Sequence, residues 1–103
     1  MAHNQTCSAL IIYNNLLTSV KIKAIGENGH VVTSGNLITG DSWILDLKER
    51  AFDNKMITIS ADVKDGRNPE TFQVNYFQGI NQTYIVYLTG VRYKTSFISG
   101  KIL

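Results

Sequence analysis

The residues with the widest chemical use in this sequence are two histidines, His3 and His30, and one cysteine, Cys7. A catalytic site needs such a group beside a partner that takes or supplies a proton. Neither histidine has a serine, cysteine or acid at a spacing typical of a catalytic pair, and Cys7 lacks the local signature of an activated thiol. We therefore predict a protein that is not an enzyme, with both histidines exposed and Cys7 a partly buried small hydrophobe.

Oxygen ligands for a metal ion are concentrated in one stretch, DVKDGRNPE at 62–70. It contains Asp62, Asp65, Asn68 and Glu70, but calcium takes about six to eight oxygens and the order does not match an EF-hand loop. An Asp-Gly turn with solvated acids explains the same residues. The eight glycines are spread along the chain rather than grouped in a phosphate-binding loop, so we expect neither metal nor cofactor.

The acidic residues are confined to the middle of the chain. The ends, 1–26 and 71–103, contain five basic residues and no acid, whereas 27–70 contains five basic and eight acidic residues. The first and last strands of a compact β domain often lie close together. If VKIKAI and VRYKTSF fall in one sheet, the ends form a basic patch that attracts anionic groups. The predicted binding residues are Lys21, Lys23, Arg92 and Lys94, bordered by Tyr87 and Tyr13.

A second explanation of the same lysines needs no ligand. Outward-facing lysines keep sheet faces and edges soluble and discourage pairing between edges. The sequence alone leaves the two explanations open.

The elements that must position these residues are short strands, because period-two patterns dominate and helical periodicity is almost absent. Asn28-Gly29 predicts a two-residue hairpin turn and Asp65-Gly66 a second turn. LDLKERAFDNK is read as a strand end followed by a loop. The sequence thus predicts an all-β fold, an antiparallel β-sandwich of seven or eight short strands, with an OB-type barrel as the alternative. The predicted core residues are Ile22, Leu45, Leu47, Ile59, Val74, Val86 and Phe97.

Length and composition place all of this in a single domain, residues 1–103. No stretch approaches the roughly 18 to 20 apolar residues of a membrane helix. The opening MAHNQTCSAL has no basic start or long apolar run, and one cysteine excludes an intramolecular disulfide. We expect a protein that is cytoplasmic or released without a signal peptide.

The stretch IIYNNLLTSVKIKAI, residues 11–25, resembles the start of aegerolysins, in which a strand ending in Asn precedes a short loop and a Val-x-Ile-x strand. The resemblance implies a β-sandwich that binds membrane lipids, sometimes with a pore-forming partner, and in some members toxicity to insects. This chain departs from the family later, where VNYFQGINQTYIV stands in place of a stretch with Trp and Cys. No lipid-binding residue of the family is carried over.

These observations favour a recognition module for membrane lipid head groups or glycans, toxin-like or defensive in role. Nucleic acid is not an expected partner, because a net charge of +2 is far from strongly basic. The alternative is a structural protein that self-associates through Tyr-rich, charge-poor strands such as QTYIVYLT. A dimer or small homo-oligomer is compatible with both.

Overall fold

The computed structural model describes residues 5–64, 69–91 and 94–102. These ranges contain nine β-strands and no helix, so none of their elements is a helix that could cross a membrane. The strands are β1 (Gln5–Cys7), β2 (Ala9–Asn14), β3 (Val20–Gly26), β4 (Val31–Leu37), β5 (Ser42–Asp46), β6 (Met56–Val63), β7 (Glu70–Tyr76), β8 (Thr83–Val91) and β9 (Lys94–Ile102). The all-β prediction is confirmed.

The strands form two mixed sheets. The first sheet has the order β1-β7-β6-β3-β4 and the second has the order β5-β2-β8-β9. The expectation of purely antiparallel pairing is wrong at two places, because β1 pairs parallel with β7 and β2 pairs parallel with β8. The strand count also exceeds the predicted seven or eight within the described ranges. Side-chain alternation marks a strand but carries no information about the direction of its neighbour.

Both parallel pairs have one origin. Ser8 separates β1 from β2, and the backbone N–H groups of Ser8 and Ala9 both donate to the carbonyl of Gln82, at 2.9 and 3.3 Å. The first part of the chain therefore passes from the edge of the first sheet into the interior of the second. There it lies beside β8, which follows β7 in the sequence.

One buried cluster draws on both sheets. Six predicted core residues are buried with at most 1% of their surface exposed, and Phe97 is partly buried against the cluster. Phe97 contacts Phe72 of the first sheet edge-on, with ring centroids 4.5 Å apart. The six residues are Ile22, Leu45, Leu47, Ile59, Val74 and Val86. The core prediction is thus confirmed, with Phe97 at the margin.

The first hairpin lies where Asn28-Gly29 predicts it, but its turn is longer. Residues 27–30 connect β3 to β4, and only Gly29 has a positive φ, at 87°. Gly29 N–H donates to the Gly26 carbonyl at 3.0 Å, and Gly26 N–H donates to the His30 carbonyl at 2.8 Å. A turn followed by one glycine in the left-handed region is the usual three-residue alternative to the two-residue hairpin.

The stretch after Trp43 also behaves as predicted. β5 ends at Asp46, and residues 47–51 form a turn rather than a helix. The Asp46 carboxylate accepts hydrogen bonds from the N–H groups of Lys48 and Glu49, at 3.0 and 3.3 Å. The predicted turn at Asp65-Gly66 lies outside the described residues.

Candidate functional site

The predicted binding residues are divided between the two sheets. Lys21 and Lys23 are exposed on the outer face of β3, in the first sheet, while Lys94 begins β9, at the edge of the second. The premise that VKIKAI and VRYKTSF share a sheet is therefore wrong. Arg92 lies outside the described residues. Whether these basic residues bind a ligand stays a prediction.

The two tyrosines of the predicted set are brought together. Tyr13 of β2 and Tyr87 of β8 are register partners on the outer face of the second sheet. Their rings stack at a centroid distance of 5.4 Å and an interplanar angle of 20°. They border an apolar surface, not the lysines of β3.

Strand direction nevertheless gathers several loops at one end of the molecule, which we call the loop end: residues 15–21, 36–41 and 62–64. β2 ends and β3 begins there, as β4 ends and β5 begins. β6 ends there too, where Lys64 N–H donates to the Ser19 carbonyl at 3.0 Å. Lys94 is paired with Val91, three residues past Leu88, which pairs with Asn14. The backbone of Lys94 therefore lies toward this same end.

Asn14 organises the loop end from inside. It is fully buried, and it is the only buried polar residue in the described part of the chain. Its Nδ2 donates to the carbonyls of Thr18 and Leu37, at 3.0 and 2.9 Å, and its Oδ1 accepts from the N–H of Leu16 at 3.0 Å. One side chain thus connects both loops. These hydrogen bonds hold the loops in place, because a buried amide is stable only when its hydrogen bonds are made.

Main-chain bonds complete this framework. Gly40 N–H donates to the Asn14 carbonyl at 2.7 Å, and Asn14 N–H donates to the Asp41 carbonyl at 2.8 Å. The Thr39 hydroxyl donates to the Leu16 carbonyl, which links the two loops directly. The loop end is therefore a preorganised surface.

Two apolar side chains project from these fixed loops. Leu17 is 95% exposed, and Ile38 is 64% exposed. Leu17 follows Leu16, which is fully buried, so the two neighbouring leucines face opposite directions. An exposed apolar side chain on such a loop adds nothing to the stability of the folded monomer, since an apolar side chain is stabilising only when it is buried.

A shallow cavity of about 330 Å³ lies at the same loop end, on the outer face of the first sheet. Lys21 is the register partner of both Asn36 in β4 and Asp62 in β6. Two cations and one carboxylate give the cavity a positive balance with neutral donors around it. The lining residues are Ser19, Val20, Lys21, Asn36, Asp62 and Lys64.

A β-bulge shapes one wall of this cavity. The register between β3 and β4 shifts between Lys21 and Lys23, opposite Ser34 and Gly35, and Gly35 has a φ of 73°. The Ser34 hydroxyl takes over the role of a backbone acceptor, at 2.9 Å from the Ile22 N–H. Bulges bend an edge strand and redirect its side chains, here those that precede Ile38.

The outer face of the second sheet has a central apolar area that reaches all four strands. In one row Ile44, Ile11 and Ile85 are register partners, and in the next Tyr13 and Tyr87 continue to Ile98, while the exposed Ser42 of β5 completes that row. Ile44 is 70% exposed and Ile98 is 51% exposed, while the four central side chains are half-buried. We call this set of six side chains the apolar face.

His30 and Cys7 are the chemically versatile side chains among the described residues, and both pack within the fold. His30 Nε2 lies 2.7 Å from the Arg50 carbonyl oxygen, and the ring packs edge-on against Phe52 at 4.9 Å. Cys7 is fully buried rather than partly buried, and burial raises the pKa of its thiol to about 11. A thiol that stays protonated at neutral pH is a poor nucleophile. His3 lies outside the described residues.

No cluster of metal-ligating side chains occurs within residues 5–64, 69–91 and 94–102. Asp65 and Asn68 of the acidic loop lie outside these ranges, and the absence of a metal there stays a prediction.

Sequence reasoning missed Asn14, Leu17, Ile38 and Lys64. The available signal was the pair Leu16-Leu17 in a short connection between two strands, where polar turn residues are expected. A leucine in such a loop that is not needed for the core is a candidate contact residue.

Comparison of the chain with known protein families, curated proteins and solved structures gives no match. The similarity of residues 11–25 to aegerolysins therefore stays a prediction.

Proposed function

We propose that this protein is a non-enzymatic recognition module that binds membrane lipid head groups through its loop end. The observation that carries the proposal is the exposed Leu17, 95% accessible on a loop fixed by buried Asn14, at the same end of the molecule as a cavity lined by Lys21. Apolar tips enter the interface between head groups and acyl chains, and neighbouring cations attract anionic lipid.

The two sheets fit this role as a β-sandwich, a description supported by the single core that draws on both sheets. In such a scaffold the loops at one end can approach a surface while the strands keep them rigid. The acid-free ends contribute here as well, because Lys21 and Lys94 belong to strands that begin at this end.

The expected affinity of one copy is modest. Burying Leu17 and Ile38 contributes roughly 1.5–3 kcal/mol each, and each lysine near an anionic surface contributes about 1 kcal/mol. Loss of translational and rotational freedom offsets much of this gain. Single copies should therefore bind reversibly, and more strongly at low salt, where charges are less screened.

The test is co-sedimentation with vesicles of phosphatidylserine and phosphatidylcholine at two ionic strengths, compared with pure phosphatidylcholine vesicles. Lys21→Ser should lower binding to the anionic vesicles several-fold, whereas Lys55→Ser, at the opposite end of β6, should leave it unchanged. Equal losses for the two variants would show that only net charge matters, and no binding to any vesicle would refute the proposal.

Acidic glycans are the other ligand class expected from the sequence, and variants at Lys21 and Leu17 distinguish them from lipid. A soluble sulfated or sialylated glycan engages charge but offers no acyl region for Leu17. Loss of glycan binding in Lys21→Ser with no effect of Leu17→Ser would assign the loop end to glycans instead.

A further inference from the structure

The apolar face lies on the outer face of the second sheet, and its Tyr13 is adjacent in sequence to Asn14 of the loop end. Its six side chains form two adjacent rows of three: Ile44, Ile11 and Ile85 on β5, β2 and β8, and Tyr13, Tyr87 and Ile98 on β2, β8 and β9. A contiguous apolar surface on one sheet face is typical of an interaction site, whereas single exposed hydrophobics are ordinary.

The outer face of the first sheet shows that this composition is not general. One row there contains Thr33, Lys23, Ser60 and Thr71. The next contains Gln73 and Thr58, which are joined by a side-chain hydrogen bond of 3.3 Å, and continues to Ile25 and the exposed Val31. The outer face of the first sheet thus mixes polar and apolar side chains, whereas the six side chains of the apolar face are all aliphatic or aromatic.

Charge is almost absent from the second sheet. Its four strands contain Asp46 in β5 and two lysines, Lys94 and Lys101, in β9, while β2 and β8 contain no charged residue. The Asp46 carboxylate is bonded to the N–H groups of the following turn. The two charge signs thus lie on opposite edge strands of one sheet.

We propose that the apolar face binds a second copy of this chain, face to face, about a two-fold axis parallel to the strands. This axis places β5 of each copy over β9 of the other, because rotation about the strand direction exchanges the two edges. Asp46 of each copy then lies over the part of β9 that contains Lys101 in the other copy, because Asp46 pairs with Ala9, Ala9 pairs with Thr83, and the neighbouring Tyr84 pairs with Ile102. Lys94 lies at the other end of β9. Ile44 of each copy lies near Ile98 of the other.

The same axis keeps both loop ends on one side of the dimer. Two copies could then meet one membrane together, and the second contact would profit from the effective concentration that the first creates. This last point rests on the proposed lipid binding. The dimer itself does not.

The size of the surface predicts a weak dimer. Four strands about 4.8 Å apart and roughly 20 Å long present a projected area of roughly 400 Å² per copy. Stable interfaces bury about 800 Å² of accessible surface per partner, so we expect a dissociation constant in the micromolar range. Sedimentation equilibrium of the full chain from about 5 to 500 µM should therefore show mass rising from monomer toward dimer.

Two variants test the face and its symmetry. Ile44→Lys and Ile98→Glu change exposed positions on the outer strands, and each should weaken dimerisation at least about tenfold because it places an unpaired charge in an apolar contact. An equimolar mixture should regain association, since one contact becomes Lys–Glu and its symmetry mate remains Ile–Ile. Thermal melting of each variant confirms that the monomer still folds.

The outcomes separate the alternatives. A wild-type protein that stays monomeric to about 500 µM would overturn the proposal, given the micromolar affinity expected for such an interface. Weakening by Ile98→Glu alone would indicate edge pairing through β9, and failure of the mixture to associate would exclude this two-fold axis.

A membrane contact by this face is the remaining alternative. Ile44→Lys would then abolish vesicle binding by a protein that is monomeric in solution, and the proposal would be wrong. Leu17→Ser is the converse control, because it should reduce vesicle binding while leaving dimerisation unchanged. Failure of the dimer and failure of lipid binding are thus seen in different measurements.

Discussion

The side-chain amide of Asn14, at the end of β2 in the second sheet, donates a 2.9 Å hydrogen bond to the carbonyl of Leu37, at the end of β4 in the first sheet. This bond connects the sheets at the end where Leu17 and Ile38 are exposed. Stability and the candidate site therefore share one residue.

Replacing Asn14 with Ala should lower the free energy of unfolding by about 2–4 kcal/mol, because it leaves one buried N–H and two carbonyls without their partner. Denaturant titration measures the loss. Asn36→Ala is the matched control, since Asn36 is exposed and should cost less than about 0.5 kcal/mol. Similar small losses for both variants would contradict the role given to Asn14.

Cys7 should make the protein less stable at alkaline pH. Burial raises the pKa of its thiol from 9.0 to about 11, so the folded state holds the proton more tightly than the unfolded state. This contribution is complete below about pH 9 and is lost as pH rises through about 11. Burial, together with the charge of Asp46, also raises the pKa of Tyr76, so that residue adds to the alkaline loss.

The measurement compares the free energy of unfolding at several pH values between about 8 and 11 for the wild type and for Cys7→Ala. The variant starts less stable because a cavity replaces the sulfur, but its stability should fall less steeply with pH. Parallel slopes for the two proteins would contradict the assignment.

Two residues with positive φ allow substitutions whose effects on stability should have opposite signs. Ala51 has a φ of 63°, which costs a residue with a Cβ about 1 kcal/mol, so Ala51→Gly should stabilise the protein by up to about 1 kcal/mol. Gly40 has a φ of 89°, and apart from its chain neighbours no atom lies within 4 Å of the position that a methyl group would take. Gly40→Ala should therefore destabilise the protein by a similar amount through the backbone alone. Melting temperatures that shifted in the same direction for both variants would refute this explanation.

Side-chain alternation is sufficient to predict the all-β class and the buried residues. Ile22, Ile59 and Val86 lie on the predicted faces because a period of two determines which side chains point inward. It could not predict that β2 lies parallel to β8, because that pairing depends on contacts across more than 70 residues of sequence.

The candidate site is harder to predict for the same reason. Grouping Lys21 with Lys94 requires a strand order, and β3 and β9 belong to different sheets. The sequence predicts Tyr13 and Tyr87 beside the lysines. In the structure they lie instead on the outer face of the second sheet, together with Ile11 and Ile85. Leu17 escapes prediction because loop residues have no periodicity that separates buried from exposed side chains.

The central claim is that Leu17 enters the lipid interface, and a fluorophore at that position tests it most directly. Cys7 is fully buried, so in the Leu17→Cys variant an environment-sensitive dye such as NBD should react only with the new cysteine under native conditions. Val31→Cys is the matched control, because Val31 is also an exposed apolar residue, 47% accessible, at the opposite end of the first sheet. On addition of phosphatidylserine vesicles, the dye at position 17 should shift to the blue and brighten, while the dye at position 31 stays unchanged. Equal responses at the two positions, or none at position 17 while the protein co-sediments with the vesicles, would contradict the account.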